Sequence, residues 1–484
     1  MLDAKPSFSM SQNSTELSVA IAGGGLAGLA AACALADSGF RVSLFERRPY
    51  LGGRASSYEH PGTGEVVDNC QHVLFRICTN LVEFYRRIGV EDKIRWYDVM
   101  TFVEPGGRTS VMNASPLPAP LHTAPSFLRF PFLNAKDKLV ISRAIAALTL
   151  TAQRDTGESF LDWCHEHGQT ENAIERFWKP ILVSALSEDL DLISISYAAQ
   201  VVRESMKSPA ARHMGVPSIP LTDLYDKAGD YIRARGGEIR LRTSLESFSP
   251  EPSHVQIRVA DREEGKREVA FDYLVLALPF NSVDCVLPES REAAPLRQKL
   301  AHFESCPITG IHLWFDRQIT DLDHAVLLDR TIQWMFQKSR LLTARGAATN
   351  AESGGSYIEL VVSASKSLID KSRAEIVELA VQEVREFFPA SREATLLKST
   401  VIKEVHATYS PRPGIDTYRP PQTTAWPRVF VAGDWTATGW PATMEGAVRS
   451  GYLAAEAVTR SAGISSRRFL SADLPASGLM RVFG

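Results

Sequence analysis

Three glycines near the amino terminus, Gly23, Gly25 and Gly28, have the G-x-G-x-x-G spacing that suits the diphosphate of a dinucleotide. The first glycine permits a tight turn, the second lets the backbone approach a diphosphate, and the third lets a helix pack closely on a strand. Glu46 follows eighteen residues after Gly28, where a carboxylate can accept hydrogen bonds from an adenosine ribose. These residues predict a dinucleotide site.

A second glycine turn, Gly52-Gly53-Arg54, follows closely, and Arg47 stands directly after Glu46. A glycine turn that carries a cation is not typical of NAD-binding domains. It resembles the G-G-R element of the flavin-containing amine oxidase and phytoene desaturase superfamily. That resemblance implies an FAD cofactor whose diphosphate passes this loop, with Arg47 and Arg54 among the residues that bind it.

The carboxyl-terminal region matches the same superfamily at "RVFVAGDWTATGWPATMEGAVRSGYLAAEAV". A buried strand is expected over 429–432, then Gly433 and Asp434, then a helix that begins near Met444 and runs past Val458. The resemblance implies that Asp434 accepts hydrogen bonds from the ribityl hydroxyls or lies beside the pyrophosphate. The free N–H groups at Met444 would face the N1/C2=O edge of the flavin, where negative charge gathers on reduction.

The stretch "VVDNCQHVLFRICTNLVEFYRRIGV" holds a dense polar cluster that we expect to face the flavin. Its D-N-x-Q-H-V-L motif, "FYRRIGV" and the carboxyl-terminal motif are together similar to the hydroxysqualene dehydroxylase family, also called squalene-associated FAD-dependent desaturases. The chain departs from the pattern of that family at Cys70, where the family has glycine, and at Arg76, where it has a less basic residue. A left-handed turn at Cys70 would be strained.

The resemblance implies reductive removal of the hydroxyl of hydroxysqualene, a C30 allylic alcohol, to give squalene in hopanoid biosynthesis. Hydroxide leaves poorly, so a proton donor must serve the oxygen. His72 is the first candidate because its pKa suits donation near neutral pH, Asp68 is the candidate that would orient its ring, and Glu445 is a weaker candidate donor. The alternative that His72 only forms hydrogen bonds in the cofactor pocket stays open, and the electron donor is not named by the sequence.

The elements that must position these residues form one βαβ unit: a strand over 17–22, a helix over 29–38 and a strand over 41–45. The uncharged stretch 17–36 is long enough to span a bilayer. Its Ala- and Gly-rich composition and the lack of flanking basic residues favour the buried unit instead. We therefore expect a Rossmann-like floor rather than a membrane span.

The predicted fold class is α/β, with a discontinuous Rossmann-like FAD-binding domain and an inserted α+β substrate domain, as in amine oxidases and GDP-dissociation inhibitors. The expected FAD-binding domain comprises 17–100, 220–285 and 425–462, and the substrate domain comprises 101–219 and 286–424. The middle FAD segment ends in a strand over 273–278, and the backbone near Leu245 is the expected neighbour of the adenine. The tails 1–16 and 463–484 are expected to be disordered.

The segment "PLPAPLHTAPSFLRFPFL" at 116–133 cannot be one helix, because proline interrupts it repeatedly. We expect an exposed apolar loop that rests on a membrane surface, forms the rim of an entrance for an apolar substrate, or packs as a lid on its own domain. The terminal "GLMRVFG" is a candidate apolar anchor. These alternatives remain open.

Composition excludes several partners. The net charge is −3 with 44% hydrophobic residues, which is ordinary for a folded protein and offers no broad basic field for nucleic acid. Six cysteines without C-x-x-C spacing predict neither a zinc site nor a disulfide framework, and no metal is expected. We expect a cytoplasmic protein, with peripheral contact at the inner face of the membrane left open.

Two other functions stay open. A carotenoid-type desaturase would use the same flavin frame in the opposite direction, taking hydride from a polyene precursor. A prenyl-lipid carrier without flavin, as in GDP-dissociation inhibitors, would have little reason to keep Glu46, Gly53, Arg54 and Asp434 together. An amine or porphyrinogen oxidase is less favoured, because the Pro- and Leu-rich segment suits a long hydrocarbon.

Overall fold

A computed structural model describes residues 16–150, 155–342, 355–464 and 468–482 of the 484-residue chain. The tail expected at 1–16 lies, apart from Glu16, outside the described residues.

The strands of the described residues, in chain order, are β1 Ser18–Ala22, β2 Arg41–Glu46, β3 Ser57–Glu59, β4 Val66–Asp68, β5 Leu74–Phe75, β6 Ile94–Tyr97, β7 Val99–Val103, β8 Thr109–Asn113, β9 Met214–Pro217, β10 Glu238–Leu241, β11 Thr243–Pro250, β12 Val255–Asp261, β13 Gly265–Phe271, β14 Tyr273–Leu276, β15 Ser305–Phe315, β16 His324–Leu327, β17 Trp334–Gln337, β18 Ser356–Val362, β19 Leu396–Tyr409 and β20 Val429–Val431.

The α-helices of the same residues are α1 Leu26–Ala36, α2 Thr79–Arg87, α3 Ala124–Leu128, α4 Ala135–Leu150, α5 Phe160–Glu166, α6 Glu171–Ala173, α7 Lys179–Leu186, α8 Ile195–Met206, α9 Leu221–Arg233, α10 Phe280–Val283, α11 Ala294–Leu300, α12 Lys338–Leu341, α13 Arg373–Phe387 and α14 Met444–Ser461. A π-helical turn, Ile174–Trp178, joins α6 to α7.

The first sheet is parallel, in the order β10-β2-β1-β14-β20, and its strands come from three separate parts of the chain. Parallel strands buried on both faces read as continuous apolar runs, and β1, SVAIA, is buried throughout. Helix α1 is also buried at every position, so the uncharged stretch is a core strand and a core helix, as expected. This sheet is the Rossmann-like part of the predicted α/β fold.

The second large sheet is mixed, in the order β19-β15-β18-β17-β16-β7-β8. Its pairs are antiparallel except for β16 and β7, which run parallel. Helix α13 packs on this sheet through Ile376, Ala380 and Val384, which are buried at helical spacing. A three-stranded antiparallel sheet, β11-β12-β13, leads back into β14.

Segment 116–133 is only partly the exposed loop that we expected. It contains a 3-10 turn over Leu121–Thr123 and helix α3, and Phe127, Phe130 and Phe132 are buried in an aromatic cluster. Leu117, Leu121 and Leu128 remain exposed, whereas Leu133 is buried. The buried phenylalanine rings therefore anchor the segment to the core of the protein.

The prediction of disorder over 463–484 is wrong for the part that the structure describes. Phe469 and Met480 are buried, and the backbone N–H of Phe469 donates to Glu456. A terminal 3-10 helix, Gly478–Val482, packs on segment 116–133, where Leu479 N–H donates to the carbonyl of Ala119 at 2.9 Å. Buried aromatic and apolar side chains at wide spacing give no periodic signal, which is why the sequence did not predict this packing.

Across the described residues, no helix combines the length and apolar character that crossing a membrane would require.

Candidate functional site

The first glycine motif forms the turn between β1 and α1, and two of its glycines are required by close packing. Gly23 has φ +111°, and a Cβ there would lie 2.3 Å from the carbonyl oxygen of Ala277, the residue after β14. A Cβ on Gly28 would lie 1.9 Å from the carbonyl oxygen of Gly23. Both positions therefore exclude any side chain, as the spacing predicts.

Gly25 is different, because the protein itself leaves room for a side chain. The nearest atom to a Cβ there is the Cα of Gly53 at 3.8 Å. Gly25 is also the N-cap of α1, and no side chain caps the free N–H groups of that helix. An eleven-residue helix that presents uncapped N–H groups beside a bare backbone offers a site for an anionic diphosphate.

The second glycine turn lies directly against the first. Gly52 N–H donates to the carbonyl of Gly24 at 2.9 Å, and a Cβ on Gly53 would lie 2.9 Å from the Cα of Gly25. Gly53 has φ +62°, which glycine adopts without strain. The two motifs, read separately in the sequence, therefore form one surface of backbone atoms.

Glu46 connects this surface to the end of β2. Its buried carboxylate accepts from the N–H of Gly24 at 2.7 Å and from the N–H of Arg48 at 2.8 Å. Each oxygen keeps a further lone pair for a ribose hydroxyl. Arg48 in turn donates to the carbonyl of Gly53 at 2.7 Å, whereas Arg47, the arginine named from the sequence, is exposed.

Arg54 and Asp434 bring the two ends of the chain together. The Arg54 guanidinium donates to the Asp434 carboxylate at 2.7 Å and to the carbonyl of Ala407 at 2.8 Å. Asp434 is buried. Although burial opposes it, the neighbouring carboxylate raises the pKa of Arg54. The sequence singled out both residues, but it did not predict that they pair.

Arg419, which the sequence reasoning missed, fixes the loop that carries Asp434. Its buried guanidinium donates to a series of acceptors around that loop: the carbonyls of Asp434, Thr436 and Trp440, the hydroxyls of Thr438 and Tyr197, and the carboxylate of Asp416. No motif surrounds Arg419 in the sequence. An arginine among prolines in "DTYRPPQTT" was the only available signal.

Helix α14 begins at Met444, as predicted, and its N-cap is Thr443, which accepts from the N–H of Gly446. Glu445 does not have the place of a proton donor. It is fully buried and its carboxylate accepts from the backbone N–H groups of Asn80 and Leu81 at the start of α2, and from the Asn80 side chain. These contacts cap α2, so the structure corrects the expectation for Glu445.

His72 lies in the turn after β4, half-buried, with Nδ1 2.7 Å from the carbonyl oxygen of Cys70. A carbonyl only accepts, so Nδ1 carries the proton and Nε2 presents a lone pair. Burial lowers the pKa of His72, so the ring is neutral at pH 7. In this state Nε2 accepts a proton, and the expected role of His72 as a proton donor, which requires Nε2 to be protonated first, stays a prediction.

Asp68 does not orient His72, because its carboxylate has other partners. One oxygen accepts from Ser57 and from the N–H of Leu221, and the other accepts from Lys338 at 2.6 Å. The carbonyl of Cys70 holds the His72 ring instead. Cys70 itself lies outside the left-handed region, so the departure from glycine does not strain the turn. Arg76, the other departure, stacks over Trp96 with 3.9 Å to the ring centroid.

Lys338 forms a buried charge cluster that the sequence did not reveal. Its ammonium also donates to Gln71 at 2.8 Å and lies 3.4 Å from Glu359. Both carboxylates and the ammonium are almost entirely buried. The Lys338 ammonium lowers the pKa of Asp68 against the effect of burial, while burial raises the pKa of Glu359 to about 8. Burial therefore favours the protonated form of Glu359, whereas Lys338 favours the ionised form of Asp68.

The remaining expectation, an adenine neighbour at Leu245, stays a prediction. Leu245 lies half-buried in β11, opposite Val259, at the point where the register of the two strands shifts. A separate groove of about 930 Å³ lies between α13 and β19, with His60, Arg373 and Thr400 in its lining, and none of the predicted cofactor residues contributes to it.

The arrangement fits FAD on structural grounds alone. Backbone from two glycine turns meets at Gly25, uncapped N–H groups point from α1, and the Arg54–Asp434 pair closes the same edge of the sheet. A diphosphate can lie at the helix terminus, and a ribose hydroxyl can reach Glu46.

A comparison with known protein families also indicates a flavin cofactor. The family described as flavin containing amine oxidoreductase matches residues 26–459. This match confirms the predicted flavin cofactor, FAD, and the predicted superfamily.

Two curated relatives are carotenoid desaturases of Synechococcus elongatus. The 15-cis-phytoene desaturase is 27% identical over 95% of this chain and 99% of its own length, and a probable zeta-carotene desaturase is 27% identical over 93% and 100%. Among solved structures, an oxidoreductase from Methanosarcina mazei has a TM-score of 0.68 with 17% identity, over 90% of this chain and 99% of that one. The last likeness confirms the fold class.

Proposed function

We propose that this chain, which belongs to the flavin containing amine oxidoreductase family, is an FAD-dependent desaturase of a long-chain isoprenoid. Desaturation removes a hydride from one carbon and a proton from its neighbour. FAD, when bound in its oxidised state, supplies the acceptor for the hydride. The protein must then supply an acceptor for the proton and a defined position for the hydrocarbon.

The observation that carries this proposal is the state of His72. Its Nδ1–H is committed to the carbonyl of Cys70, and burial keeps the ring neutral, so Nε2 can accept the proton that desaturation releases. The curated relatives, which are named for phytoene and zeta-carotene, support the same direction of reaction.

The residues that hold the cofactor are part of the proposal. Gly23, Gly25 and Gly28 with Gly52 and Gly53 form the backbone surface for the diphosphate, and Glu46 accepts from the ribose. Arg48 and Arg419 act on this site indirectly, because they fix the two loops that carry Gly53 and Asp434. Asp434 and the amide end of α14 serve the ribityl chain and the flavin ring.

Reductive dehydroxylation of hydroxysqualene is the second candidate, and a specific observation favours it. The D-N-x-Q-H-V-L motif at 68–74 and the motif that begins at Gly433 are similar to that family. In that reaction the site must deliver a proton to the hydroxyl oxygen, so His72 would have to be protonated before each turnover. A reductant of unknown identity would also be required.

We also propose the domain boundaries given above, a cytoplasmic location, and peripheral contact with a membrane from which an isoprenoid could be drawn. The mixed sheet formed by β7, β8 and β15–β19 would carry the substrate-binding part.

Product analysis under anaerobic conditions tests the proposal. The oxidised, FAD-loaded protein is incubated with 15-cis-phytoene, and the chemically reduced protein is incubated with hydroxysqualene. New conjugated double bonds in the first reaction support the desaturase. If the second reaction gives squalene and phytoene stays unchanged in the first, the protein is a dehydroxylase and not a desaturase. If neither reaction gives a product, both proposals are rejected.

A further inference from the structure

Large exposed apolar side chains occur on two distant parts of the chain that pack against each other. We call this surface the leucine face; it comprises Leu117, Leu121, Leu128, Leu479 and Val482. Val482 is 80% exposed and Leu128 is 61% exposed. Isolated exposed apolar residues are common, but a contiguous group marks an interaction surface.

Backbone hydrogen bonds hold the two parts of the leucine face together. Leu479 N–H donates to the carbonyl of Ala119 at 2.9 Å, and Leu121 N–H donates to the carbonyl of Pro118 at 2.8 Å. A Cβ on Gly478 would lie 2.7 Å from the backbone nitrogen of Ala119. The terminal 3-10 helix therefore packs against 117–121 without an intervening side chain.

The leucine face stands on a rigid base. The rings of Phe127 and Phe177 lie 5.5 Å apart between centroids, and those of Phe130 and Phe102 lie 5.2 Å apart. All four rings are buried. These close-packed rings fill the interior next to Leu128, whose own side chain is exposed.

The exposed charges of segment 109–150 and of the terminal 3-10 helix are of one sign. Between 109 and 150 the only acid is Asp137, which is buried and accepts from Asn134, Thr170 and Asn172. The basic residues of this segment and of the terminal 3-10 helix are Arg129, Lys136, Lys138, Arg143 and Arg481. Lys138 donates to the carbonyl of Leu128, which places its ammonium beside the leucine face.

From this geometry we infer that the leucine face docks on a bilayer that contains anionic lipids. Exposed leucines enter the boundary between headgroups and acyl chains, while the surrounding cations meet the negative surface. A water-soluble anionic partner would match the cations but leave the leucines in water. The reason for docking rests on the proposed function, since a long-chain isoprenoid resides in the bilayer.

Cosedimentation of the FAD-loaded full chain with vesicles tests this inference. Vesicles of phosphatidylcholine with phosphatidylglycerol should bind the protein, and pure phosphatidylcholine vesicles or high salt should release most of it, because salt screens the charges. The double variant Leu128→Ser/Val482→Ser should partition about tenfold more weakly, because two apolar side chains leave the bilayer.

The matched control is Leu397→Ser. Leu397 is 54% exposed on β19, away from the leucine face, so this variant should bind vesicles like the wild type. Arg129→Glu/Arg481→Glu should lose binding only to anionic vesicles. Retained flavin absorbance shows that each variant is folded.

Equal vesicle binding by the wild type and by Leu128→Ser/Val482→Ser, or no binding by the wild type, overturns the inference. So does a wild-type dimer that the double variant abolishes in the absence of vesicles, because the leucine face would then be covered by a second copy. Turnover of isoprenoid dispersed in detergent is measured separately. Vesicle binding without turnover contradicts only the proposed function, and turnover without vesicle binding contradicts only the docking surface.

Discussion

Arg54 and Asp434 are 380 positions apart and meet at 2.7 Å. The Arg54 side chain is 28% exposed and that of Asp434 is 6% exposed, so water screens the pair on one side only. Each residue was recognised from its own local motif. Arg54 belongs to a glycine turn that carries a cation, and Asp434 belongs to a Gly-Asp pair that follows a strand. Their pairing depends on how the chain closes, which no local pattern contains.

Asp434→Asn should weaken FAD binding by about tenfold, because the loop loses its ion pair while its shape is retained. Fluorescence titration of the apoprotein with FAD measures the change. The control Glu268→Gln removes an exposed pair with Arg258 of 2.6 Å on the β12–β13 hairpin and should leave FAD affinity unchanged. Equal FAD affinity in Asp434→Asn and the wild type would remove Asp434 from the cofactor site.

His72→Gln should keep FAD bound and lower turnover by about 10²–10⁴-fold, because the glutamine side chain cannot accept the proton. The pH profile adds a second test. Since burial lowers the pKa of His72, the neutral form persists below pH 6.5, and turnover of the wild type should fall only below that value. Turnover that instead rises as pH falls would show that His72 acts as an acid.

Glu359 should make stability depend on pH. Burial raises its pKa to about 8, above the ordinary value of 4.5, so the folded protein holds this proton more tightly than the unfolded chain does. Its contribution is complete below about pH 4.5 and is lost as pH rises to about 8. Asp68 has the opposite shift, so only a comparison of variants isolates Glu359.

Urea unfolding of Glu359→Gln and the wild type at pH 5 and pH 8 measures this effect. The free energy of unfolding of the wild type should fall relative to that of the variant by at least about 1 kcal/mol over this interval. The same difference at both pH values would mean that Glu359 is ionised throughout.

The sequence did not predict the positions of three structurally important cations, Lys338, Arg48 and Arg419. Each is a cation whose partners lie far away in sequence or are backbone carbonyls. Charged residues are normally solvated, so nothing in the sequence marks Lys338 and Arg419 as buried or Arg48 as a donor to the carbonyl of Gly53. By contrast, Gly23 and Gly28 were predictable, because their requirement comes from the adjacent turn.

At the scale of elements, the packing of α1 against α14 depends on Gly451. A Cβ there would lie 2.2 Å from the carbonyl oxygen of Ala27 and 2.9 Å from the nitrogen of Ala31. Because these are backbone atoms of a buried helix, they cannot yield locally. This contact joins the first and last helices of the cofactor-binding part.

Gly451→Ala should therefore lower the free energy of unfolding by about 1–3 kcal/mol and weaken FAD retention, since α1 also presents the diphosphate site. The urea midpoint and the flavin released on dilution are the measurements. Gly62→Ala, where a Cβ would meet only the His60 ring, is the control and should behave as the wild type. An unchanged midpoint in Gly451→Ala would show that the two helices can separate freely.

Most elements near the site were predictable from their patterns. The strand 41–46 and the helix from Met444 occur where they were expected, and α1 begins at Leu26, three residues earlier than predicted, because Gly25 is its cap. The structure of segment 116–133 was predicted only in part. Proline correctly excluded a single helix, but the phenylalanines point inward, which only the tertiary packing decides.

At the scale of the whole molecule, one parallel sheet collects strands from three parts of the chain, in the order β10-β2-β1-β14-β20. The resemblance of both chain ends to one superfamily made it predictable that strands from distant parts of the chain form this sheet. The mixed sheet was not, because pairs such as His312 with Glu359 join strands whose register only long-range packing sets. The cluster of Lys338 therefore came from the structure alone.

The central claim is that both ends of the chain enclose one FAD that exchanges hydride with an isoprenoid. Its most direct test is the visible flavin spectrum of the purified holoprotein, mixed anaerobically with 15-cis-phytoene. The account predicts that the absorbance of oxidised flavin bleaches in proportion to the phytoene consumed. A protein that stays colourless after incubation with FAD, or a flavin spectrum unaltered by phytoene in the oxidised protein and by hydroxysqualene in the reduced protein, would contradict it.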